Sequence, residues 1–220
     1  MWPIRSNGPP ATSTERSKPS RCELLVPAPD GNLISFGQAK RAGRMTELWV
    51  FGYGSLMWRP GFPFAAQAPG LLKGAHRALC VYSVFYRGTK EQPGLVLGLD
   101  RGGACRGVAF RVAPGAEDET IAYLREREQV TAVYVETYRN VRLVDGSGRT
   151  VKALTYLADP THPQYAGRLS LDEQLRIVRA CRGQAGANIE YVLNTVRHFE
   201  EEGVHDAVLS KLAARLTGEV

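Results

Sequence analysis

Apolar side chains enter this chain in short bursts, and the spacing of the bursts changes along its length. Residues 48–53, "LWVFGY", form a continuous apolar run, the pattern of a strand buried on both faces. Runs near 76–84, 95–100 and 105–112 mix two-residue alternation with glycine breaks and predict three further strands. Pro114-Gly115 closes this region, and "AEDETIAYLRERE" (116–128) follows with acids early and bases late, the order a helix dipole favours. A long alternating run from Ala132 to Val144 turns at "DGSG" (145–148) and returns over 150–157, which predicts a β-hairpin. The last third carries helical spacing near 170–183, 188–202 and 204–217. Strands followed by helices, not alternating with them, argue for an α+β fold.

Residues 1–44 sit apart from this pattern. They are rich in Pro, Ser and Gly and show no sustained periodicity, so they are expected to be a disordered leader, or to precede a true start at Met45. An Arg-rich, acid-poor segment of this kind also fits a transit peptide. Its longest apolar piece, Leu24–Val26, is too short for the core of a secretory signal. The domain is then expected to be 45–220. The leader also explains the charge. Of the net +6, +4 comes from its seven basic and three acidic residues, which removes the argument for nucleic acid as a partner. No apolar run approaches the ~18 residues that span a bilayer, so no membrane partner is expected. The four cysteines (22, 80, 105, 181) and four histidines (76, 162, 198, 205) show no metal-ligand spacing. That pattern points to no metal, no disulfide framework and a reducing, cytoplasmic setting. Cys80 and Cys105, within strands, and Trp49 and Trp58 are expected in the core.

Two features carry candidate chemistry. The first is Gly52-Tyr53-Gly54-Ser55 at the end of the first strand. It lacks the third glycine of a dinucleotide fingerprint and the Lys-Ser/Thr of a P-loop. Glycines here permit positive φ and close approach of a ligand to the backbone, and successive N–H groups can form an anion-binding nest with the Ser55 hydroxyl. An ordinary strand-ending turn would read the same way. The second is Glu128. With Ile121 at 0° on a helical wheel of about 100° per residue, Leu124 falls near 300°, Glu128 near 340° and Glu126 near 140°. Glu128 thus lies on the apolar stripe and Glu126 off it. Burial would raise the pKa of such a carboxylate, as a general base requires. A helix-end glutamate that reaches solvent beside an arginine is the alternative.

Together these features resemble the ChaC-type, glutathione-specific γ-glutamylcyclotransferases. The matching pieces are "WVFGYGSLMW" (49–58), "GACRGVAFRV" (103–112), "YLREREQV" (123–130), "HPQYAGRL" (162–169) and "GANIEYVLNTV" (186–196). The resemblance implies a mixed β-barrel with surrounding helices. It also implies cleavage of glutathione into 5-oxoproline and cysteinylglycine without cofactor or metal. The family's substrate-binding run falls on Val50, Phe51, Gly52, Tyr53, Gly54 and Ser55, and its catalytic glutamate on Glu128. Asn188 and Tyr191 are candidates for hydrogen bonding near that site; Arg77 or Arg87 could hold the glycyl carboxylate, but each reads first as a solvated arginine. The rival readings are a cyclotransferase for other γ-glutamyl amines and a non-catalytic regulator of the same fold.

Overall fold

The structure, a computed structural model, describes residues 47–128 and 132–218; the leader expected over 1–44 lies outside them. Five strands close a barrel in the order β1-β3-β2-β4-β5. β1 (Trp49–Gly52) lies antiparallel to β3 (Gly94–Val112), which pairs along its length with β2 (Phe64–Ser83). β4 (Tyr134–Leu143) and β5 (Thr150–Ala158) form the hairpin, and the barrel shuts where Trp49 and Val50 of β1 meet Ala153 and Leu154 of β5 in parallel. The mixed barrel expected from the resemblance is therefore what forms.

Two expected strand boundaries change. Residues 95–100 and 105–112 are one strand, because Gly102 and Gly103 take positive φ (90° and 68°) and absorb a register shift opposite Lys73–Ala75. Glycine there bulges the ladder instead of ending it. β2 likewise starts at Phe64, twelve residues before the expected 76, since Pro69, Gly70 and Gly74 interrupt the alternation but not the pairing.

The barrel interior is filled by side chains such as Phe51, Leu72, Leu99, Val141 and Leu157. α1 (Glu117–Glu128) covers one wall through Leu124, fully buried against Val50, Phe110 and Tyr156. A bidentate pair from Arg125 to Glu136, 2.8 Å for each bond, ties α1 to β4. α2 (Leu171–Ala180), α3 (Asn188–Glu201) and α4 (Ala207–Thr217) pack together on β2 and β3 around Leu95, Val178, Val192, Phe199 and Leu212. The helix expected to 183 stops at Ala180. Cys181 is extended, and β6 (Arg182–Gly183) turns back as β7 (Gly186–Ala187), with Gly186 at φ 106°. α4 starts three residues after the expected 204, at the point where Asp206 caps its N-terminus by accepting from Leu209 N–H. Among the described residues no helix is long and apolar enough to cross a membrane.

Candidate active site

β1 delivers its last apolar residues to the barrel core, and the chain then turns. Tyr53-Gly54 leads into a single 3-10 turn, Ser55–Met57. Met57 N–H closes that turn on the Gly54 carbonyl at 2.9 Å, while the N–H groups of Gly54, Ser55 and Leu56 meet no backbone acceptor among the described residues. Unpartnered amides at the start of a turn are where an anion or a developing oxyanion can be received. Gly54 does not have the positive φ that two glycines led us to expect; its φ is −131°. Its role is space: a Cβ there would meet no atom within 4 Å, because it would stand in the cavity that Gly54 lines.

That cavity, about 110 Å³, brings Tyr53, Gly54, Ser55 and Leu56 of the turn against Glu128 at the end of α1. Val96 and Leu97 of β3 form another side, and Tyr134, Tyr156 and Tyr191 complete the wall. The volume is small beside the ~300–1,000 Å³ of a drug-sized pocket. It suits the head of a substrate more than the whole of one. Val50, Phe51 and Gly52 do not reach it; Val50 and Phe51 point into packed apolar clusters with 0% and 1% exposure.

The helical wheel places the two glutamates as expected. Glu128 has a side chain 19% exposed and lines the cavity, whereas Glu126 is exposed on the outer face. Burial pushes the Glu128 carboxyl above its ordinary value, and the Arg127 guanidinium, with Nε 3.3 Å from Glu128 Oε1, pulls the other way. The same guanidinium donates from Nη2 to Ser55 Oγ (2.9 Å) and from Nη1 to the Arg59 carbonyl (2.7 Å) and the Tyr123 hydroxyl (2.8 Å). One side chain thus joins the carboxylate to the turn across the cavity. The sequence reading gave Arg127 no role; its place beside Glu128 was visible, but its reach to residues 55 and 59 depends on how α1 docks.

The tyrosines form a neutral, hydroxyl-bearing wall. Burial raises the phenols of Tyr53, Tyr134 and Tyr191, and the Glu128 charge adds to the effect, so they remain donors at neutral pH. Tyr134 donates to the Leu97 carbonyl (2.7 Å) and Tyr191 accepts from Leu97 N–H (3.1 Å), so both ends of one residue's backbone orient the two rings. Tyr134 and Tyr156 went unremarked in the sequence, where tyrosine in a strand pattern is ordinary. Asn188 is fully buried, and its amide is spent on Leu95, accepting from its N–H and donating to its carbonyl, both at 2.7 Å. It pins the start of α3 to β3.

The two candidate arginines separate sharply. Arg77 is buried: Nε donates to the Tyr53 carbonyl (2.6 Å), Nη2 to the Arg106 carbonyl (2.7 Å), and Nη1 pairs with Asp206 at 3.2 Å, with the plane 4.2 Å over the Phe199 ring. It has no fork left for a ligand and is not solvated. Arg87 lies by Tyr191, its guanidinium carbon 5.4 Å from that ring's centroid. Cys80 and Cys105 are buried free thiols, pushed by burial up to about 12 and about 11. Trp49 is buried, and Trp58 is half-buried against His198 and Phe199. Among the described residues no three His, Cys, Asp or Glu side chains converge as metal ligands.

Comparison with known proteins bears on the chain's family and fold. The model of the ChaC-like protein family matches residues 48–218. A glutathione-specific γ-glutamylcyclotransferase of Escherichia coli (strain K12) is 36% identical over 165 residues, 75% of this chain and 71% of that protein. Glutathione-specific γ-glutamylcyclotransferase 1 of Mus musculus is 35% identical over 77% of this chain and 75% of its own. The crystal structure of a glutathione-specific γ-glutamyl cyclotransferase from yeast superposes with a TM-score of 0.68 at 21% identity, covering 79% of this chain and 99% of that one, a likeness of fold.

Proposed function

The chain belongs to the ChaC-like protein family, and from that premise we propose that it cleaves glutathione to 5-oxoproline and cysteinylglycine, with Glu128 moving the proton. The observation that carries the reading is a single buried carboxylate facing a turn with unpartnered N–H groups across a small cavity.

The substrate supplies its own nucleophile. Its γ-glutamyl head folds so that the α-amine faces the γ-carbonyl, and confinement in the cavity holds that conformer. Well-oriented intramolecular attack of this kind is worth roughly 7–11 kcal/mol. The amine reaches the site as an ammonium and cannot attack until a base takes its proton. Glu128, whose carboxyl is raised by burial toward the range a general base needs, is that base. The amine nitrogen then bonds to the γ-carbon, and the carbonyl oxygen gains the charge that the N–H groups of 54–56 receive. The bond from the γ-carbon to the cysteinyl nitrogen breaks as that nitrogen takes the proton back from Glu128. The ring nitrogen gives its second proton to the same carboxylate, which passes it to the leaving amine and leaves a neutral lactam. The Tyr53 and Tyr191 phenols offer neutral donors to the α-carboxylate without adding charge near the base. Every step is a proton transfer through Glu128 or an acyl shift within the substrate itself. We place the reaction in the cytosol, where glutathione and the buried free thiols at 80, 105 and 181 both remain reduced.

The test is incubation of the purified protein with glutathione and with γ-glutamyl-alanine, following 5-oxoproline by mass spectrometry. Release of 5-oxoproline and cysteinylglycine in equal amounts is expected. Turnover of γ-glutamyl-alanine alone would move the assignment to another γ-glutamyl amine, and no 5-oxoproline from either would leave the regulatory reading.

A further inference from the structure

Beyond the bond that breaks, glutathione carries a cysteinyl and a glycyl residue ending in a carboxylate, and the Glu128 cavity is too small to account for them. Resting on the reading above, we infer that Arg87 receives the glycyl carboxylate and so makes the site selective for γ-glutamyl peptides that end in a free acid.

The placement follows from Tyr191. Its ring lines the cavity on the Glu128 side, and the Arg87 guanidinium packs against the same ring. One aromatic ring thus lines the cavity together with Glu128 and carries the Arg87 guanidinium against it. The two residues of cysteinylglycine span ~7 Å when extended. That is the scale of the separation between a cavity-lining tyrosine ring and a guanidinium carbon 5.4 Å from its centroid.

Arg87 is also held ready. Its backbone N–H donates to Ser83 Oγ (3.0 Å), and the segment before it pairs with the β6–β7 turn through Gln184 N–H to the Phe85 carbonyl and Ala185 N–H to the Tyr86 carbonyl. Its Nη1 is anchored on the Ala185 carbonyl at 2.6 Å and the Ala187 carbonyl at 3.4 Å. Among the described residues Nε and Nη2 have no acceptor, which leaves open the edge of the fork that grips a carboxylate through two parallel bonds. The nearest acid on α3, Glu190, lies 4.0 Å from Arg182 instead. The other arginines are unsuited. Arg77 and Arg127 are engaged as described, and Arg101 and Arg168 border a separate cleft that shares no residue with the Glu128 cavity.

The experiment compares glutathione with glutathione amidated at its glycyl carboxylate, using the wild type, Arg87→Met and Arg87→Lys. The readout is the ratio of kcat/KM for the two compounds, in which any general loosening of the loop cancels. A charge-assisted bidentate contact of this kind predicts a wild-type preference for the acid of ~10- to 100-fold. Arg87→Met should bring the ratio close to one, chiefly through the KM of glutathione, and Arg87→Lys, which keeps the charge but not the fork, should fall between. A wild type that uses both compounds equally, or an Arg87→Met variant that loses both in proportion, overturns the inference and leaves the cyclotransferase intact. If the wild type makes 5-oxoproline from neither compound, the cyclotransferase reading itself fails and this subsite with it. Should Arg87→Met not fold, the wild-type ratio and Arg87→Lys decide.

Discussion

Two arginines grip the turn after β1 from opposite sides, and they do so in different surroundings. On the helical side Arg77 is almost wholly buried, and its bonds go to two backbone carbonyls, to the Met57 sulfur at 3.9 Å and to Asp206, whose other task is to cap α4. On the α1 side the Arg127 side chain is 23% exposed, and its bonds run to a serine hydroxyl, a tyrosine hydroxyl, two carbonyls and the Glu128 carboxylate. The first joins structural elements; the second joins the carboxylate that lines the cavity to the turn that faces it. A guanidinium taken wholly out of water must be fully paired and then contributes to architecture. One left partly wet can trade partners and tune its neighbour. The same residue type, a few ångströms either side of one turn, is thus divided between stability and chemistry.

The comparison is broken most severely at the carboxylate that only one arginine touches. Glu128→Gln should lower 5-oxoproline formation by ~10²–10⁴-fold, the usual loss when a general base is removed. Its stability should move the other way. Burial raises the Glu128 pKa, so the folded protein binds that proton more tightly than the unfolded chain does. Wild-type stability therefore falls as pH rises from the ordinary value of 4.5 through the raised one. Glu128→Gln, with no charge to bury, should melt higher than wild type near neutrality and lose that advantage below pH 4.5. A variant that melts lower at pH 7 would mean that the carboxylate stabilises the fold.

Next comes Arg77→Met. It strands Asp206 and two carbonyls, and breaking a buried pair costs ~3–5 kcal/mol. Urea denaturation should show that loss, while the pH profile of the remaining folded enzyme stays where it was. Arg127→Met should do the reverse. Its partly exposed bonds predict a stability change of only ~1–2 kcal/mol. The acid limb of the rate profile should shift upward, because the cation that opposes the burial of Glu128 is gone. If Arg77→Met shifts that limb and Arg127→Met does not, the division between the two sides is wrong. The smallest effect belongs to Glu126→Gln, one turn face away and exposed; turnover should change by less than about threefold, under ~1 kcal/mol.

Much of this was legible because local pattern and tertiary role coincide. The hairpin of 134–143 and 150–158 shows in its alternation, and α1 and α3 in their charge order and spacing. The placement of Glu128 follows from helical geometry, since Leu124 on the same stripe must be buried. What was lost depends on non-local pairing. The first half of β2 is full of Pro and Gly, and only its partner β3 makes it a strand. The tyrosine wall gathers rings from β1's end, β4, β5 and α3, whose convergence no sequence spacing encodes. Arg77 read as a solvated arginine because nothing near it in sequence shows that Tyr53, Arg106 and Asp206 will surround it.

The parallel seam of Trp49 and Val50 with Ala153 and Leu154 has a consequence for how the molecule is born. During synthesis the first strand emerges some hundred residues ahead of the partner that completes its pairing, so on the ribosome its outer edge must wait while everything between is made. Closing so long a loop is slow, and the waiting edge is a template for other chains. Nor is the cavity finished when the barrel shuts, since Tyr191 arrives later still, on α3. The cavity is therefore completed late in the life of each copy, only after Tyr191 has left the exit tunnel.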